Sequence, residues 1–270
     1  MTKNSDFFCS AALLLSMLLV LSACSSKDST KTPQPLSYEM KRIEKIYSNG
    51  ETTEANKSWC KCRYPVFTDG KSADAINACL LNWIADSTAI APGKGYTGNR
   101  SIEALADNFL RDYEKIKNEF PVNWPYEFEL EGSVILNRSG LLSVELSNYS
   151  FTGGAHGSSH TEYFVFDTLA GNRLVPGDVF TEGFKEPLNK LIDSRYRKMK
   201  GLSSTDRLDG EKGMLFENII HFNNNFAITD SGVSFLYNQY EIAAYAYGPT
   251  RIDLSYSDLS VILRPKFRSL

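Results

Sequence analysis

Two of the three histidines of this chain, His156 and His160, stand four residues apart in the glycine-rich stretch 152–160, TGGAHGSSH. On a helix this spacing would place the two imidazoles about 6 Å apart, where they could share a metal ion. Three glycines and two serines in nine residues disfavour a helix. On an extended strand the two histidines would be about 13 Å apart, too far for one zinc ion. We therefore predict no metal site, and a sharp bend with a positive φ at Gly153 or Gly154.

Nucleophilic catalysis is the second chemistry that these residue types could perform. The Gly-x-Ser-x-Gly elbow is absent, and the serines of the stretch lack the strand–turn–helix context that this elbow requires. We predict that no residue of the chain is catalytic and that the chain binds no metal or cofactor. The alternative that stays open is an envelope hydrolase in which His156 acts with a carboxylate such as Glu241 or Asp178.

The start of the chain has the pattern of a bacterial lipoprotein signal. An apolar run from Phe7 to Leu21, too short to span a bilayer comfortably, leads through small residues to Cys24. The sequence Leu-Ser-Ala-Cys resembles the lipobox, which implies cleavage after residue 23 and a lipid on the sulfur of Cys24. We therefore predict a signal peptide over residues 1–23 and a stable membrane anchor at Cys24. An ordinary signal peptide with a chance cysteine is the alternative.

The segment after the anchor has the composition of a linker. Residues 25–35, SSKDSTKTPQP, contain no aromatic residue and cannot bury a core, which predicts a flexible tether over 24–37. Retention in the inner membrane usually requires Asp directly after the lipidated cysteine. This chain has Ser25 at that position, and in this it resembles the outer-membrane lipoproteins. We expect a lipid-anchored protein of the bacterial cell envelope, in the outer membrane and facing the periplasm or the cell surface.

Charge excludes one class of partner. The chain has 29 basic and 32 acidic residues, a formal net charge of −3 and no block of like charge. Because nucleic-acid binders concentrate positive charge on one face, we predict no nucleic-acid partner. About 235 residues follow the tether, which is enough for one large domain or two small ones.

Three cysteines remain after the anchor in a compartment where disulfides persist. Cys60 and Cys62 are two residues apart, so on a strand they face the same side. Cys79 lies on a predicted helix, and a disulfide from Cys60 or Cys62 to Cys79 would contribute about 3 kcal/mol. A metal-binding cysteine trio is the alternative, but Cys-x-Cys lacks the usual spacer and no fourth ligand is evident.

Hydrophobic periodicity predicts the order of the helices and strands. The clearest element is a helix over 101–120, with Ser101 as its N-cap and an apolar stripe that we expect to face the core. The stripe consists of Ile102, Leu105, Phe109, Leu110, Tyr113, Ile116 and Phe120. Further helices are predicted over 72–85, over 184–200 and from about residue 257. Strands are predicted over 36–48, 57–67, 126–136, 141–151, 158–168, 226–229, 233–237 and 251–256.

Segregated runs of strands and helices favour an α+β fold. Short breaks between the strands predict an antiparallel meander with helices packed on one side. In the strand over 158–168, Tyr163 and Val165 should face one side of the sheet, and Phe164 and Phe166 the other. We predict two intimately associated subdomains, over 38–155 and 156–270.

Two segments of the chain resemble the extracytoplasmic region of the RsiV-like proteins. The first segment matches through Tyr149, Thr152–Gly157, Tyr163–Phe166, Asp167, Gly171, Leu174, Asp178 and Phe180. The second matches through Phe226, Asp230, Gly232, Tyr240–Ala243, Tyr245, Gly248-Pro249 and Tyr256–Leu259. Ala244 and Tyr247 depart from the family pattern, which expects proline and a small residue there.

The resemblance implies paired domains that occur in a lysozyme-sensing anti-sigma factor, beside the catalytic module of a peptidoglycan deacetylase, and alone in envelope lipoproteins. In the anti-sigma factor the domain binds lysozyme, with loops that enter the cleft of the enzyme. The metal-binding motifs of the deacetylase are missing here, since VFDTLAG at 165–171 lacks the paired aspartates. The resemblance therefore implies a binding domain without either effector.

We predict that this chain is a non-catalytic envelope lipoprotein that binds a wall-associated ligand, either a lysozyme-like glycosidase or peptidoglycan. Two glycine- and tyrosine-rich loops, 153–159 and 240–247, would carry the binding. The candidate binding residues are Gly153, Gly154, His156, Ser158, Tyr240, Glu241, Tyr245 and Tyr247. The alternative for the second loop is a structural bend whose tyrosines pack inward.

Overall fold

The computed structural model describes residues 33–47, 57–91 and 96–268. The predicted signal peptide, the predicted lipid site at Cys24 and most of the predicted tether lie outside the described residues. Within the described ranges, no helix combines the length and the apolar character needed to cross a membrane.

The larger sheet has five strands in the order β1-β2-β3-β4-β5. They are β1 (Tyr38–Tyr47), β2 (Ser58–Phe67), β3 (Glu127–Arg138), β4 (Leu141–Phe151) and β5 (Ser158–Asp167). The predicted antiparallel pairing is found between β1 and β2 and from β3 to β5, whereas β2 and β3 pair in parallel. The difference arises because two helices follow β2 and carry the chain back to the end of the sheet where β2 began.

These helices, α1 (Ala73–Ser87) and α2 (Ile102–Glu119), cover one face of the five-stranded sheet. The Oγ of Ser101 accepts a hydrogen bond from the amide of Ala104, so the predicted N-cap of α2 is confirmed. The apolar stripe of α2 is buried from Ile102 to Tyr113, as expected for a core-facing helix. Phe120, beyond the last turn, is exposed. The first lobe, residues 33–167, is thus a sheet with helices on one side.

The second lobe, residues 168–268, is built on a smaller antiparallel sheet in the order β6-β7-β8. Its strands are β6 (Phe226–Ile228), β7 (Gly232–Tyr237) and β8 (Thr250–Ser255), and its helices are α3 (Pro176–Val179), α4 (Lys185–Lys200) and α5 (Tyr256–Leu259). The side chains of Leu188, Ile192 and Tyr196 on α4 are buried, because α4 packs along β8. The fold is α+β, as predicted.

The ends of β4 and β5 that lie between the two lobes are buried on both faces. Leu141–Val144 and Tyr163–Phe166 are unbroken buried runs. As predicted, Phe164 and Phe166 face the helices of the first lobe, while Tyr163 and Val165 face the second lobe. The first sheet therefore extends beyond residue 155, and the predicted subdomain division between 155 and 156 stays a prediction.

Side-chain amides close the outer edge of β5. Asn238 accepts a hydrogen bond from the amide of Thr161 at 2.8 Å and donates one to its carbonyl at 3.1 Å. Asn225 accepts a hydrogen bond from the amide of Tyr163 at 2.8 Å. An amide side chain carries both a donor and an acceptor. The two asparagines therefore make hydrogen bonds to the edge of β5 of the kind that a sixth strand would make. The lobes are joined there by polar contacts as well as by apolar packing.

The predicted disulfide does not form, because Cys60, Cys62 and Cys79 are all free thiols. Cys60 and Cys62 face the same buried side of β2, as predicted, with their sulfur atoms 3.9 Å apart. Cys79 lies on the flank of α1 that is close to Arg173, beside β5. Two strands separate β2 from β5 in the sheet, which places Cys79 on the order of 14 Å from the other two cysteines.

Candidate functional site

The loop between β4 and β5 makes the sharp bend that the sequence predicts. Both Gly153 (φ 110°) and Gly154 (φ 99°) have the positive φ expected of one of them. Gly153 lies against the indole of Trp124, and a Cβ at this position would be 2.5 Å from the indole Nε1. The same Nε1 donates a hydrogen bond to the carbonyl of Thr152 at 3.2 Å. The glycine at the bend therefore leaves space for the indole of Trp124, which comes from the linker between α2 and β3.

The second half of the same loop is fitted to another ring. Gly157 lies against Tyr149 of β4, because a Cβ there would be 2.3 Å from the tyrosine ring. The Nδ1 of His156 lies 2.8 Å from the carbonyl of Gly157, which fixes the imidazole at the tip of the bend. Burial, and then the nearby Glu127 carboxylate with its hydrogen bond to the Tyr149 hydroxyl, raise the pKa of Tyr149 above its usual value.

The loop over 240–247 leaves two of its three tyrosines exposed, whereas Tyr245 is half-buried. The amide of Phe216 donates a hydrogen bond to the carbonyl of Ile242 at 2.9 Å, and Ala243 is buried in the core of the second lobe. Anchored in this way, the loop leaves Tyr240 61 % and Tyr247 52 % exposed. Tyr240 also has a left-handed backbone, with φ 66°. For Tyr240 and Tyr247 the structure thus differs from the alternative in which the tyrosines pack inward.

The two predicted loops converge. The ring of His156 stacks on the ring of Tyr245, with centroids 4.4 Å apart and an interplanar angle of 24°. The hydroxyl of Tyr245 donates a hydrogen bond to the carbonyl of Gly157 at 3.1 Å, and the ring of Tyr240 lies 5.6 Å from that of Tyr245. We call the shared feature the aromatic surface. It consists of Trp124, Tyr149, His156, Tyr240 and Tyr245, and the exposed Tyr247 follows two residues after Tyr245.

The other candidate binding residues lie at the margins of this surface. Gly154 and Ser158 are exposed, at the bend and at the start of β5. Trp124 is a member that sequence reasoning missed. The only signal for it is an aromatic residue in an Asn-Trp-Pro linker, where neither the helical nor the strand period applies.

The two carboxylates proposed as partners of His156 make other contacts. Glu241 accepts hydrogen bonds from the side-chain amides of Asn238 and Asn223, each at 3.2 Å, and so orients the amide that closes β5. Asp178 accepts a hydrogen bond from the amide of Val175 at 2.9 Å, at the start of α3. The hydrolase alternative therefore receives no supporting geometry from either residue.

A histidine–carboxylate contact does occur, but at His160. Its Nε2 lies 3.6 Å from the Oε2 of Glu162, and its ring lies against Trp83 of α1. Arg173 forms an ion pair with Glu162 from the other side and stacks on the ring of Phe164 at 4.4 Å. This arrangement is a packed polar cluster between β5 and α1.

The charge state of the cluster follows from these contacts. Burial acts to raise the pKa of Glu162, but the hydrogen bonds from His160 and Arg173 outweigh it and hold the pKa below the usual value. Burial raises the pKa of the Cys79 thiol, and Arg173 offsets only part of this shift. Glu162 is therefore ionised and Cys79 is a neutral thiol at neutral pH. In the described part of the chain, no three His, Cys, Asp or Glu side chains are grouped to hold a metal ion.

Two known protein families match separate parts of the chain. Residues 49–159 match the family described as "Deacetylase PdaC", and residues 177–257 match "Protein of unknown function (DUF3298)". No curated protein matches the chain.

Two crystal structures of DUF3298 family proteins are similar to this chain over most of its length. The protein from Bacteroides fragilis is 23 % identical with a TM-score of 0.66, covering 87 % of this chain and 96 % of its own. The protein from Pseudomonas aeruginosa is 21 % identical with a TM-score of 0.62, covering 87 % and 97 %. The chain therefore has the fold of the DUF3298 family proteins, with a region similar to the PdaC deacetylase family before its DUF3298 region.

Proposed function

We propose that this protein is a non-catalytic lipoprotein of the cell envelope that binds a wall-associated ligand through the aromatic surface. A lysozyme-like glycosidase is the protein candidate, and peptidoglycan is the polymer candidate. The observation that carries the proposal is the stacking of His156 on Tyr245, which joins two loops that are about 90 residues apart in the sequence into one exposed patch.

The composition of the patch supports binding. Tyrosine and tryptophan offer large, rigid contact areas with a polar tip, and they are enriched at the energetic centres of protein interfaces. Tyr240, Tyr247 and Trp124 remain 41–61 % exposed, so their apolar area is available to a ligand. Aromatic rings with adjacent hydrogen-bonding groups also suit the faces and hydroxyls of a sugar polymer.

The internal contacts of the patch support the same proposal, because they order it before a ligand arrives. Gly153 and Gly157 accommodate rings that a larger residue would displace, and the Tyr245 hydroxyl ties the second loop to the first. A surface that is already ordered loses less conformational entropy on binding than a mobile loop does. We propose that the lipid at Cys24 and the tether through residue 37 hold this surface near the wall, at the outer membrane.

The test is retention of the full chain, purified in detergent, on an immobilised lysozyme-like glycosidase and on sedimented purified peptidoglycan. Tyr245→Ala should reduce retention on the true ligand by about tenfold or more, since it removes the ring on which His156 stacks. Tyr38→Ala is the matched control, because Tyr38 is a 43 % exposed tyrosine on β1 that pairs with Phe67, at the opposite end of the sheet.

The two arms separate the candidates. Retention on the glycosidase alone identifies a protein partner, and retention on peptidoglycan alone identifies the polymer. Failure of the unmodified chain on both, or an equal loss with Tyr38→Ala, contradicts the proposal.

A further inference from the structure

The two outer edges of the five-stranded sheet differ. The edge of β5 is bonded by the side-chain amides of Asn225 and Asn238. The opposite edge is formed by β1, which pairs with β2 on its inner side. Across the described ranges of the chain, no backbone hydrogen bond reaches the outer side of β1. An unpaired strand edge is a template for pairing with another strand.

The backbone groups on the outer side of β1 can be assigned residue by residue. The amide of Thr68 donates a hydrogen bond to the carbonyl of Ser37 at 3.0 Å, so the backbone groups of Ser37 point to β2. Because this direction alternates along a strand, the odd-numbered residues of β1 bond β2 and the even-numbered residues point outward. The pairing of β1 with β2 runs without a register shift, so the alternation is unbroken. The outer edge thus presents the N–H and C=O groups of Tyr38, Met40, Arg42, Glu44 and Ile46.

Strand β1 lacks most of the features that prevent edge strands from pairing. It is ten residues long, and it contains neither a proline nor a bulge. The remaining protection is charge, which it carries at Glu39, Lys41, Arg42, Glu44 and Lys45. Charge opposes pairing where like charges meet and favours it where opposite charges meet. The charge pattern therefore selects which strand can pair with β1.

The pattern of β1 is complementary to itself in one antiparallel register. Two identical antiparallel strands are related by a two-fold axis, which places one residue opposite its own copy. With Ile43 at the axis, Arg42 of each copy faces Glu44 of the other, and Met40 faces Ile46. These four residues have outward-pointing backbone groups, so the register allows up to about eight backbone hydrogen bonds. With Arg42 or Glu44 at the axis, two like charges would face each other.

The same register is acceptable on the face of the sheet that lies under the helices. There Ile43, which packs against the core, meets its own copy. Lys41 would face Lys45, but both charges are already compensated. Lys45 lies 2.5 Å from a carboxylate oxygen of Asp107, and Lys41 lies 3.8 Å from a carboxylate oxygen of Glu39.

Two side chains on the open face would gain partners from this pairing. The side chain of Arg42 is 74 % exposed, and the register of β1 on β2 places it opposite the like-charged Arg63. A carboxylate from a second copy would offset that repulsion. Ile46 is 50 % exposed, and Met40 of a second copy would cover it.

We infer that this protein associates with a second copy of itself through the outer edge of β1. The product is one continuous sheet with five strands from each copy. A single strand pair gives a small interface, so the dimer is reversible and forms in the micromolar range. The inference does not depend on the aromatic surface or on the nature of its ligand.

The test is sedimentation equilibrium of the full chain in a density-matched detergent. The unmodified chain should show a concentration-dependent equilibrium between monomer and dimer. Arg42→Glu and Glu44→Arg should each weaken the dimer by at least about tenfold, because two opposite-charge pairs become like-charge pairs. The double variant Arg42→Glu/Glu44→Arg should restore the dimer. The two single variants, once mixed, should associate with each other, since each supplies the charge that the other requires.

A backbone variant and a control complete the design. Ile46→Pro removes an outward N–H group but no hydrogen bond to β2, and should weaken the dimer by at least about tenfold with little change in the thermal midpoint. Lys190→Glu makes the same change of charge on α4, where Lys190 is 74 % exposed, and should leave the dimer unchanged.

Four results would overturn the inference. They are a monomeric unmodified chain at every concentration, single charge variants that dimerise like the unmodified chain, a double variant that stays monomeric while folded, and an equal loss in Lys190→Glu.

Discussion

The two histidines of the β4–β5 connection occupy different environments, although only three residues separate them. His156 is exposed, stacks on Tyr245 of the second lobe and has a backbone carbonyl as its hydrogen-bond partner. His160 lies on β5 facing α1, packed against Trp83 and close to the ionised Glu162. The glycine bend turns the first imidazole outward, and the strand directs the second toward the helices.

The comparison shows how one short connection serves two tasks. The side that faces α1 contains charges that compensate one another, which favours a stable packed contact. The side that faces the loop over 240–247 contains uncharged rings with exposed area, which favours recognition of a ligand. The predictions that follow test this division between a packed side and a binding side, in order of decreasing effect.

The largest effect is expected at the edge of β5, where the second lobe joins the sheet. Asn238→Ala removes the buried amide side chain that bonds the part-buried amide and carbonyl of Thr161, and should lower the free energy of unfolding by about 2–3 kcal/mol. Urea unfolding measures this change. The exposed Asn123→Ala is the control and should change stability by less than about 0.5 kcal/mol. Equal values for both variants would show that the asparagine edge contributes nothing to the joining of the lobes.

The two histidines themselves give the most direct comparison. His160→Ala removes the contacts with Trp83 and Glu162, and should cost about 1 kcal/mol of stability while leaving ligand retention unchanged. His156→Ala should cost less than about 0.5 kcal/mol but weaken ligand retention by about tenfold. Denaturant unfolding and the retention assay, applied to both variants, separate these outcomes. A reversed pattern would mean that the division between the two sides is wrong.

The pH dependence of stability should report the packed side. The pKa of Glu162 is lower in the folded chain than in the unfolded chain, where it is about 4.3. The ionised carboxylate therefore stabilises the folded state above the unfolded pKa, and this stabilisation is lost as the pH falls through the folded pKa. Glu162→Gln should therefore reduce stability at pH 7, and the difference from the unmodified chain should shrink below about pH 4. Thermal midpoints at several pH values measure this. A constant difference across that range would argue against an ionised Glu162 in the folded protein.

A smaller effect of opposite sign is expected at Glu145 of β4. Burial raises its pKa in the folded chain, and the charge of Arg251 and a hydrogen bond with Tyr163 offset only part of the shift. Such a group contributes stability below its unfolded pKa and loses it as the pH rises through the folded value. Glu145→Gln should thus raise the thermal midpoint slightly at pH 7 and leave it unchanged at pH 4. A lower midpoint at pH 7 would contradict the raised pKa.

Local patterns predicted much of the fold. Helix α2 was predicted within one residue at each end, because its N-cap and its apolar stripe are both short-range features. The two faces of β5 were predicted from the period of two alone. The positive φ at Gly153 and Gly154 followed from the glycines themselves, since few other residues adopt that conformation.

Features that depend on distant residues were missed. The parallel pairing of β2 with β3 depends on the path of two helices, which no local period encodes. The disulfide was predicted from the presence of three cysteines, but the direction of Cys79 is set by how α1 rotates on the sheet. Trp124 packs beside Gly153 and bonds a carbonyl 28 positions away. Asn225 and Asn238 bond β5 across 62 and 77 positions.

Local sequence patterns suffice for the α+β class and for the bend at the two glycines, because backbone preference and hydrophobic period act over a few residues. The stacking of His156 on Tyr245 and the orientation of Asn238 by Glu241 follow from the tertiary structure alone. These contacts arise when the second lobe packs on β4 and β5. They depend on the summed geometry of many elements, which no short stretch of sequence contains.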